Sequence, residues 1–184
     1  KNFSILTEES GFIENNDKEN FWIVDPIDGT TNFLNGIPHF CISIALLVDN
    51  EIIAGVIYDP IKDEIFYSEK NGGSYLNNKS IRVSKKSKIS DCLYAVNFRK
   101  NIPENFLIRN TGSAALDLAY VSSGRFDGCL HKNVNLWDIA AGTILIKEAG
   151  GIVDNFDLKK FTKISIKASN ERISSDLNKK ICIF

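Results

Sequence analysis

Trp22-Ile23-Val24-Asp25-Pro26-Ile27-Asp28-Gly29-Thr30-Thr31-Asn32-Phe33 decides how this chain is read. An apolar run over residues 21–24 has the β-branched and aromatic character of a strand, and it delivers two carboxylates three positions apart. Pro26 fixes its own φ and biases Asp25 towards an extended backbone, so the strand is expected to end at Asp25. Ile27 intervenes, and Asp28 is expected to return to the side that Asp25 occupies. Two unit charges ~4 Å apart repel by about 4 kcal/mol at an effective dielectric of 20. A positive group belongs between them, and a hard divalent cation with oxygen ligands suits two carboxylates. Backbone N–H groups at Gly29, Thr30 and Thr31, freed at a turn or a helix start, suit an anion beside that cation. A bare D-x-x-D-G, taken alone, is also an ordinary turn.

Working outward, residues 3–6 read as a short strand that ends at Thr7-Glu8-Glu9-Ser10-Gly11, and the polar residues 14–20 read as a surface connection. Residues 40–48 form a near-continuous apolar run, as for a strand covered on both faces. Strands at 52–58, 64–68, 74–76 and 79–83 follow, separated by Asp49-Asn50, Asp59-Pro60, Asn71-Gly72-Gly73 and the tight-turn pair Asn77-Asn78. This is an antiparallel meander, in which Gly55 marks a close approach. Beyond it, one more strand is expected at 93–97 and a Pro-containing loop at 99–104.

The last third alternates. A helix at 113–123 has Gly124 placed to end it, and a strand follows at 126–130. A second helix spans 138–149, with Asp138 at its start and Gly150-Gly151 after its end. Strands at 151–153 and 163–167 precede an amphipathic helix at 170–180, with Ile173, Leu177 and Ile181 on one stripe. Strands followed by alternating strand and helix predict a layered α+β sandwich.

At 184 residues, 43% hydrophobic and 24% charged, the composition is that of a globular chain with one domain or a compact pair of half-domains. The halves are expected at 1–108, α+β and metal-binding, and 109–184, α/β. A net charge of −1 excludes a nucleic-acid or anionic-membrane surface that works through bulk charge. Lys85-Lys86-Ser87-Lys88 reads as a solvated loop. No apolar run reaches the ~20 residues that cross a bilayer. Cys41, Cys92, Cys129 and Cys182 have no CxxC spacing, which points to reduced thiols and a cytoplasmic setting. His39, after Pro38, is read as structural.

The string D-P-I-D-G-T-T-N-F resembles the signature of the inositol monophosphatase family, Mg²⁺-dependent and lithium-sensitive phosphomonoesterases. Leu136-Trp137-Asp138-Ile139-Ala140-Ala141-Gly142-Thr143, continuing to Glu148-Ala149-Gly150-Gly151, is similar to the family's second signature, and Thr7-Glu8-Glu9-Ser10 to its E-E-S element. Two strings, Thr7-Glu8-Glu9-Ser10-Gly11 and Thr111-Gly112-Ser113-Ala114-Ala115-Leu116-Asp117-Leu118-Ala119-Tyr120, look most like the bacterial extragenic-suppressor branch. The resemblance runs from Ile5 to Asn170. It implies an α-β-α-β-α sandwich of the sugar-phosphatase type, from which the N-terminal pair of helices, and an Asp that pairs with the Thr matching Thr30, are missing. A family helix near residues 99–105 also has no counterpart.

The resemblance further assigns roles. Glu8, Asp25 and the Ile27 carbonyl would hold one Mg²⁺, and Asp25, Asp28 and Asp138 a second. Glu8 would also contact a weaker third ion and the attacking water. Gly29 and Thr30 would hold the phosphate, with the Thr30 hydroxyl orienting that water. Asp28, Ala114 and the residue seven before Asp138 would hold substrate hydroxyls, with Glu9 and Trp137 in support. At that seventh position the family has Glu and this chain has His131, which cannot offer two anionic acceptors to a vicinal diol. A plain surface role for His131 stays open. Four carboxylates and a phosphomonoester near −2 would repel without two or three divalent ions, so the charge balance agrees with the assignment. The family's expected partners are a small phosphate ester, a second copy as homodimer and, in this branch, transcription or ribosomal-RNA processing complexes, with no direct nucleic-acid contact. Alternatives are a same-fold phosphatase for a sugar bisphosphate, a nucleotide 3′-phosphate or NADP, and a binding protein whose phosphatase site is incidental.

Overall fold

In the computed structural model, which describes residues 3–100 and 102–180, the opening stretch forms the hub of a large sheet. Strand β3 (Asp17–Asp28) lies between β1 (Phe3–Thr7), parallel to it, and β4 (Cys41–Val48), antiparallel. A short β2 (Gly11–Ile13) folds back on β1 at the edge. The meander continues through β5 (Glu51–Asp59), β6 (Glu64–Glu69), β7 (Gly73–Leu76) and β8 (Lys79–Ile81), giving the order β2-β1-β3-β4-β5-β6-β7-β8. Asn77 and Asn78 both have positive φ, 45° and 65°, as a two-residue hairpin turn of the primed kind requires.

Two expectations about β3 are corrected. It begins at Asp17, inside the stretch read as a surface connection, and it runs past Pro26 to Asp28. Proline is tolerated because the ladder is broken there. Asp25 faces Ser43 and Asp28 faces Cys41, three residues against two, so β3 carries a bulge. Residues three apart on a regular strand point to opposite faces. The extra residue cancels that alternation and buries both carboxylates on the inner face.

The second sheet has the order β10-β9-β11-β13-β12, from β9 (Leu93–Val96), β10 (Leu107–Arg109), β11 (Gly128–Val134), β12 (Gly151–Val153) and β13 (Ile164–Asn170). The sheets part between Ile81 and Leu93, so the boundary expected at 108 falls inside β10, a strand too short to be read from sequence. Helices α2 (Ala114–Ser122) and α3 (Leu136–Glu148) lie between the sheets and pack on each other. A helix covered on every side needs no polar stripe, and nearly every residue of α3 from Leu136 to Ile146 is buried. The last helix, α4 (Glu171–Lys180), buries only Ile173 and Leu177, against Tyr94, Val96 and Leu130 on the outer face of the second sheet. Ile181 and Cys182 lie outside the described residues. The layers are therefore sheet, helices, sheet, helix. A short α1 (Thr30–Leu34) follows β3 directly.

Gly55 does mark a close approach. A Cβ there would lie 2.9 Å from the Ala141 Cα and carbonyl oxygen of α3. Backbone on the far side cannot yield, so Gly55→Ala is expected to cost about 2 kcal/mol, read as a lower urea midpoint with unchanged slope. Cys41, Cys92 and Cys129 are free and buried. Among the described residues no helix is long and apolar enough to cross a membrane.

Candidate active site

The β3 bulge aims Asp25 and Asp28 at the N-terminal ends of α2 and α3. The Asp28 carboxylate accepts hydrogen bonds from the Ser113 hydroxyl and, at 2.9 Å, from the Ala115 N–H in the first turn of α2. Ser113 also caps that helix by accepting from the Leu116 N–H. Asp25 accepts from the Ile27 N–H at 3.0 Å, which holds the bulge. Asp138, expected at the first position of its helix, is the third. Asn135 is the cap, and Asp138 accepts the Asn135 N–H at 2.8 Å. One carboxylate oxygen from each of Asp25, Asp28 and Asp138 lies within 4.8 Å of the others.

Charge at this junction is costly as it stands. Burial pushes the Asp25 carboxyl up to about 8, helped by Asp28, Glu8 and Asp138. Asp28 is raised to about 6, again by burial, against the lowering effect of its bonds to Ser113 and Ala115. Asp138 is raised to about 7 by burial, with the Asn135 N–H opposing and Asp28 and Glu8 adding to the rise. Three converging carboxylates whose ionisation is suppressed by desolvation and mutual repulsion are a donor set that a hard divalent cation fits, since it supplies the missing positive charge.

The remaining expected residues fall around this trio. Glu8 and Glu9 lie in the exposed turn after β1. Glu8 stands outside the 4.8 Å group, yet it acts on Asp25 and Asp138. The Ile27 carbonyl accepts the Thr30 hydroxyl at 2.9 Å. Gly29 has φ 95°, and a Cβ there would lie 3.1 Å from the His39 carbonyl oxygen, which accounts for glycine at the turn. Ala114 opens α2, and Trp137 is buried beside Asp138 with its carbonyl accepting from Ser43 at 3.2 Å. His131 is no surface residue: it is 3% exposed on β11, with Nε2 3.2 Å from an Asp117 carboxylate oxygen. His39 is half-buried and packs edge-on against Tyr120.

Three residues of this neighbourhood escaped the sequence reading. Asn32, buried, donates to the carbonyls of His39 at 2.7 Å and Thr111 at 2.9 Å, tying the first signature to the approach of α2. Asp117 accepts the Thr111 hydroxyl at 2.7 Å and places a carboxylate oxygen 3.2 Å from His131 Nε2. Its signal was available, because a carboxylate in an otherwise apolar helix is rarely buried without partners. Ser43 left no signal beyond one polar position in an apolar strand.

A family model described as the inositol monophosphatase family matches residues 1–182, and the chain belongs to that family. Among individual relatives, it is 42% identical to an inositol-1-monophosphatase of Mesorhizobium japonicum, over 97% of this chain and 74% of that one. It is 43% identical to the Nus factor SuhB of Haemophilus influenzae, over 84% of this chain and 63% of that protein. The chain thus spans about three quarters of the first relative and just under two thirds of the second. Of solved structures, the extragenic suppressor protein SuhB of Bartonella henselae superposes with a TM-score of 0.89 at 41% identity, covering 97% of this chain and 75% of that one.

Proposed function

We propose that this metal-dependent phosphomonoesterase cleaves inositol monophosphate, or a small phosphate ester close to it, by in-line attack of water. The observation that carries the reading is the Asp25–Asp28–Asp138 trio at the meeting point of two helix N-termini. Mg²⁺ bound among these carboxylates would lower the pKa of water and stabilise the leaving alkoxide. Asp25 would be shared by two ions, one completed by Glu8 and the Ile27 carbonyl, the other by Asp28 and Asp138, with Glu8 touching a weaker third. Gly29 and Thr30 would seat the phosphate, and the Thr30 hydroxyl would orient the water. Glu9 and Trp137 would brace the acidic residues, while Ala114 and His131 would meet the substrate's hydroxyls.

Phosphate release from inositol 1-phosphate that requires Mg²⁺ and is suppressed by Li⁺ is the expected result. Fructose 1,6-bisphosphate, adenosine 3′,5′-bisphosphate and NADP sort the alternatives within the fold. No turnover of any of the four with Mg²⁺ present would overturn the reading. It would favour the second one, a binding role in transcription complexes, which rests on relatives that bear the name Nus factor. His131→Glu is expected to raise turnover of inositol 1-phosphate relative to fructose 1,6-bisphosphate about tenfold, mainly through KM, because a carboxylate accepts from two hydroxyls where imidazole cannot. It is also expected to lower the melting temperature, because it sets a second buried carboxylate beside Asp117. An unchanged ratio would remove His131 from recognition.

The finer architecture belongs to the same proposal. Trp22, Ile42 and Ile65 point out of the first sheet, 39, 39 and 40% exposed. An antiparallel sheet with a solvated outer face would carry polar residues there. A helical layer such as the α-β-α-β-α sandwich supplies would cover them. The 184 residues would then act as one catalytic unit within a homodimer, in the reducing cytoplasm that three free buried thiols suit.

A further inference from the structure

Away from the acidic trio, the inner face of the first sheet opens into a cavity of about 520 Å³ under the segment that follows β12. Its wall is a cluster of three rings. Phe12 meets Phe21 edge-on at 5.3 Å between centroids and lies parallel to Phe161 at 6.1 Å, while Phe21 meets Phe161 edge-on at 6.1 Å. Leu47 and Leu158 extend the apolar lining. Among the described side chains that line it, two are carboxylates, Glu19 and Asp49, and one is an ammonium, Lys159.

We propose that this cavity is a second small-molecule site, one that takes an aromatic amine. Its volume and largely apolar wall suit a compact ligand held by a few polar groups. An aryl body would pack on the three phenyl rings, whose faces also favour a nearby cation. The negative excess among the described lining side chains selects an ammonium over a carboxylate on that body.

The walls also reach both ends of the active site. Phe12 pairs with Leu6 in the β1–β2 hairpin, whose turn holds Glu8. The Phe161 carbonyl accepts the Leu136 N–H at 2.8 Å, anchoring the start of α3 two residues before Asp138. A ligand wedged between the hairpin and the Phe161 segment fixes two of the acidic elements relative to each other, so amine and Mg²⁺ bind with positive coupling, in both directions.

Titration calorimetry of the chain with tryptamine tests this without reference to catalysis. A dissociation constant of about 0.1–1 mM is expected, in keeping with a small ligand. Indole-3-propionate, with the same ring and the opposite charge, is expected to bind at least roughly tenfold more weakly. Glu19→Gln with Asp49→Asn, both on exposed positions, is expected to weaken tryptamine about fivefold or more with the melting temperature unchanged. Leu158→Trp, which fills the cavity, is expected to abolish binding. Saturating tryptamine is expected to lower the Mg²⁺ dissociation constant about two- to fivefold. No tryptamine binding at several millimolar, equal binding of the propionate, or indifference to the carboxylate pair would overturn the site, and an unmoved Mg²⁺ affinity would overturn the coupling.

Discussion

Asp25→Asn is expected to reduce phosphate release by a factor on the order of 10³ and, at the same time, to raise the melting temperature of the metal-free chain by about 5 °C at about pH 8.5. The two effects have one cause. Asp25 is 1% exposed, and its carboxyl is pushed to about 8, first by burial and then by Asp28, Glu8 and Asp138. Above that pH and without metal, the native state therefore holds a charge that it would shed if it could. Asparagine has the same shape and can still accept the Ile27 N–H that fixes the bulge. Removing the charge relieves on the order of 2 kcal/mol, which for a chain of this size corresponds to that shift. A residue present only for structure would behave in the opposite way, since loss of a satisfied buried group destabilises. The same variant is expected to lose the rise in melting temperature that Mg²⁺ gives the parent chain. At about pH 5, where Asp25 is still protonated in the folded state and only the unfolded chain has ionised, the gap between parent and variant should be smaller, and it should close below about pH 4. A variant that melts lower at the alkaline pH and retains turnover would remove Asp25 from the metal scheme.

What could be read in the sequence, and what could not, follows from the range of the interactions. Asp25 and Asp28 were legible as a pair because they sit in one string, and their shared face was expected even though the means was not. A bulge at Pro26 depends on how β4 is registered against β3, which no local pattern encodes. Asp138 was legible through its neighbours Trp137 and Gly150-Gly151, but its place at the third helical position rests on Asn135, a polar residue before an apolar run that gave no other sign. The meander was readable because hairpin turns such as Asn77-Asn78 announce themselves locally. By contrast, β10 has three residues, two of them apolar, and becomes a strand only because Leu93 to Ala95 offer it a parallel edge. His131 illustrates the same limit on function. Its spacing from Asp138 pointed to the substrate side, while its burial against Asp117 depends on α2 and β11 meeting in space.

The metal-free chain is expected to lose stability as the pH rises from about 5 to about 9, by on the order of 3 kcal/mol, and Mg²⁺ is expected to cancel the loss. The sign follows from the direction of the shifts. Asp25, Asp28 and Asp138 titrate near 8, 6 and 7 in the folded chain and near 3.8 when solvated. An acid raised on folding binds more protons in the native than in the unfolded state across the whole interval between those values. The stability it contributes is complete below about pH 4 and declines as the pH climbs through the folded values, reaching its floor above about 8. Most proteins with paired carboxylates show the reverse slope over the lower part of this range, so the test is sharp. Urea unfolding at about pH 5, 7 and 9 in the presence of a chelator should give successively lower midpoints. Added Mg²⁺ binds the ionised carboxylates only, so it should leave the most acidic midpoint nearly unmoved and raise the most alkaline one most. Its apparent affinity should climb with pH through the interval of about 6–8 because binding releases protons. Midpoints that rise or stay level from about pH 5 to 8 under chelation would mean that Asp25, Asp28 and Asp138 carry their charge without strain. They would then not form the cation-seeking cluster on which the proposed chemistry depends.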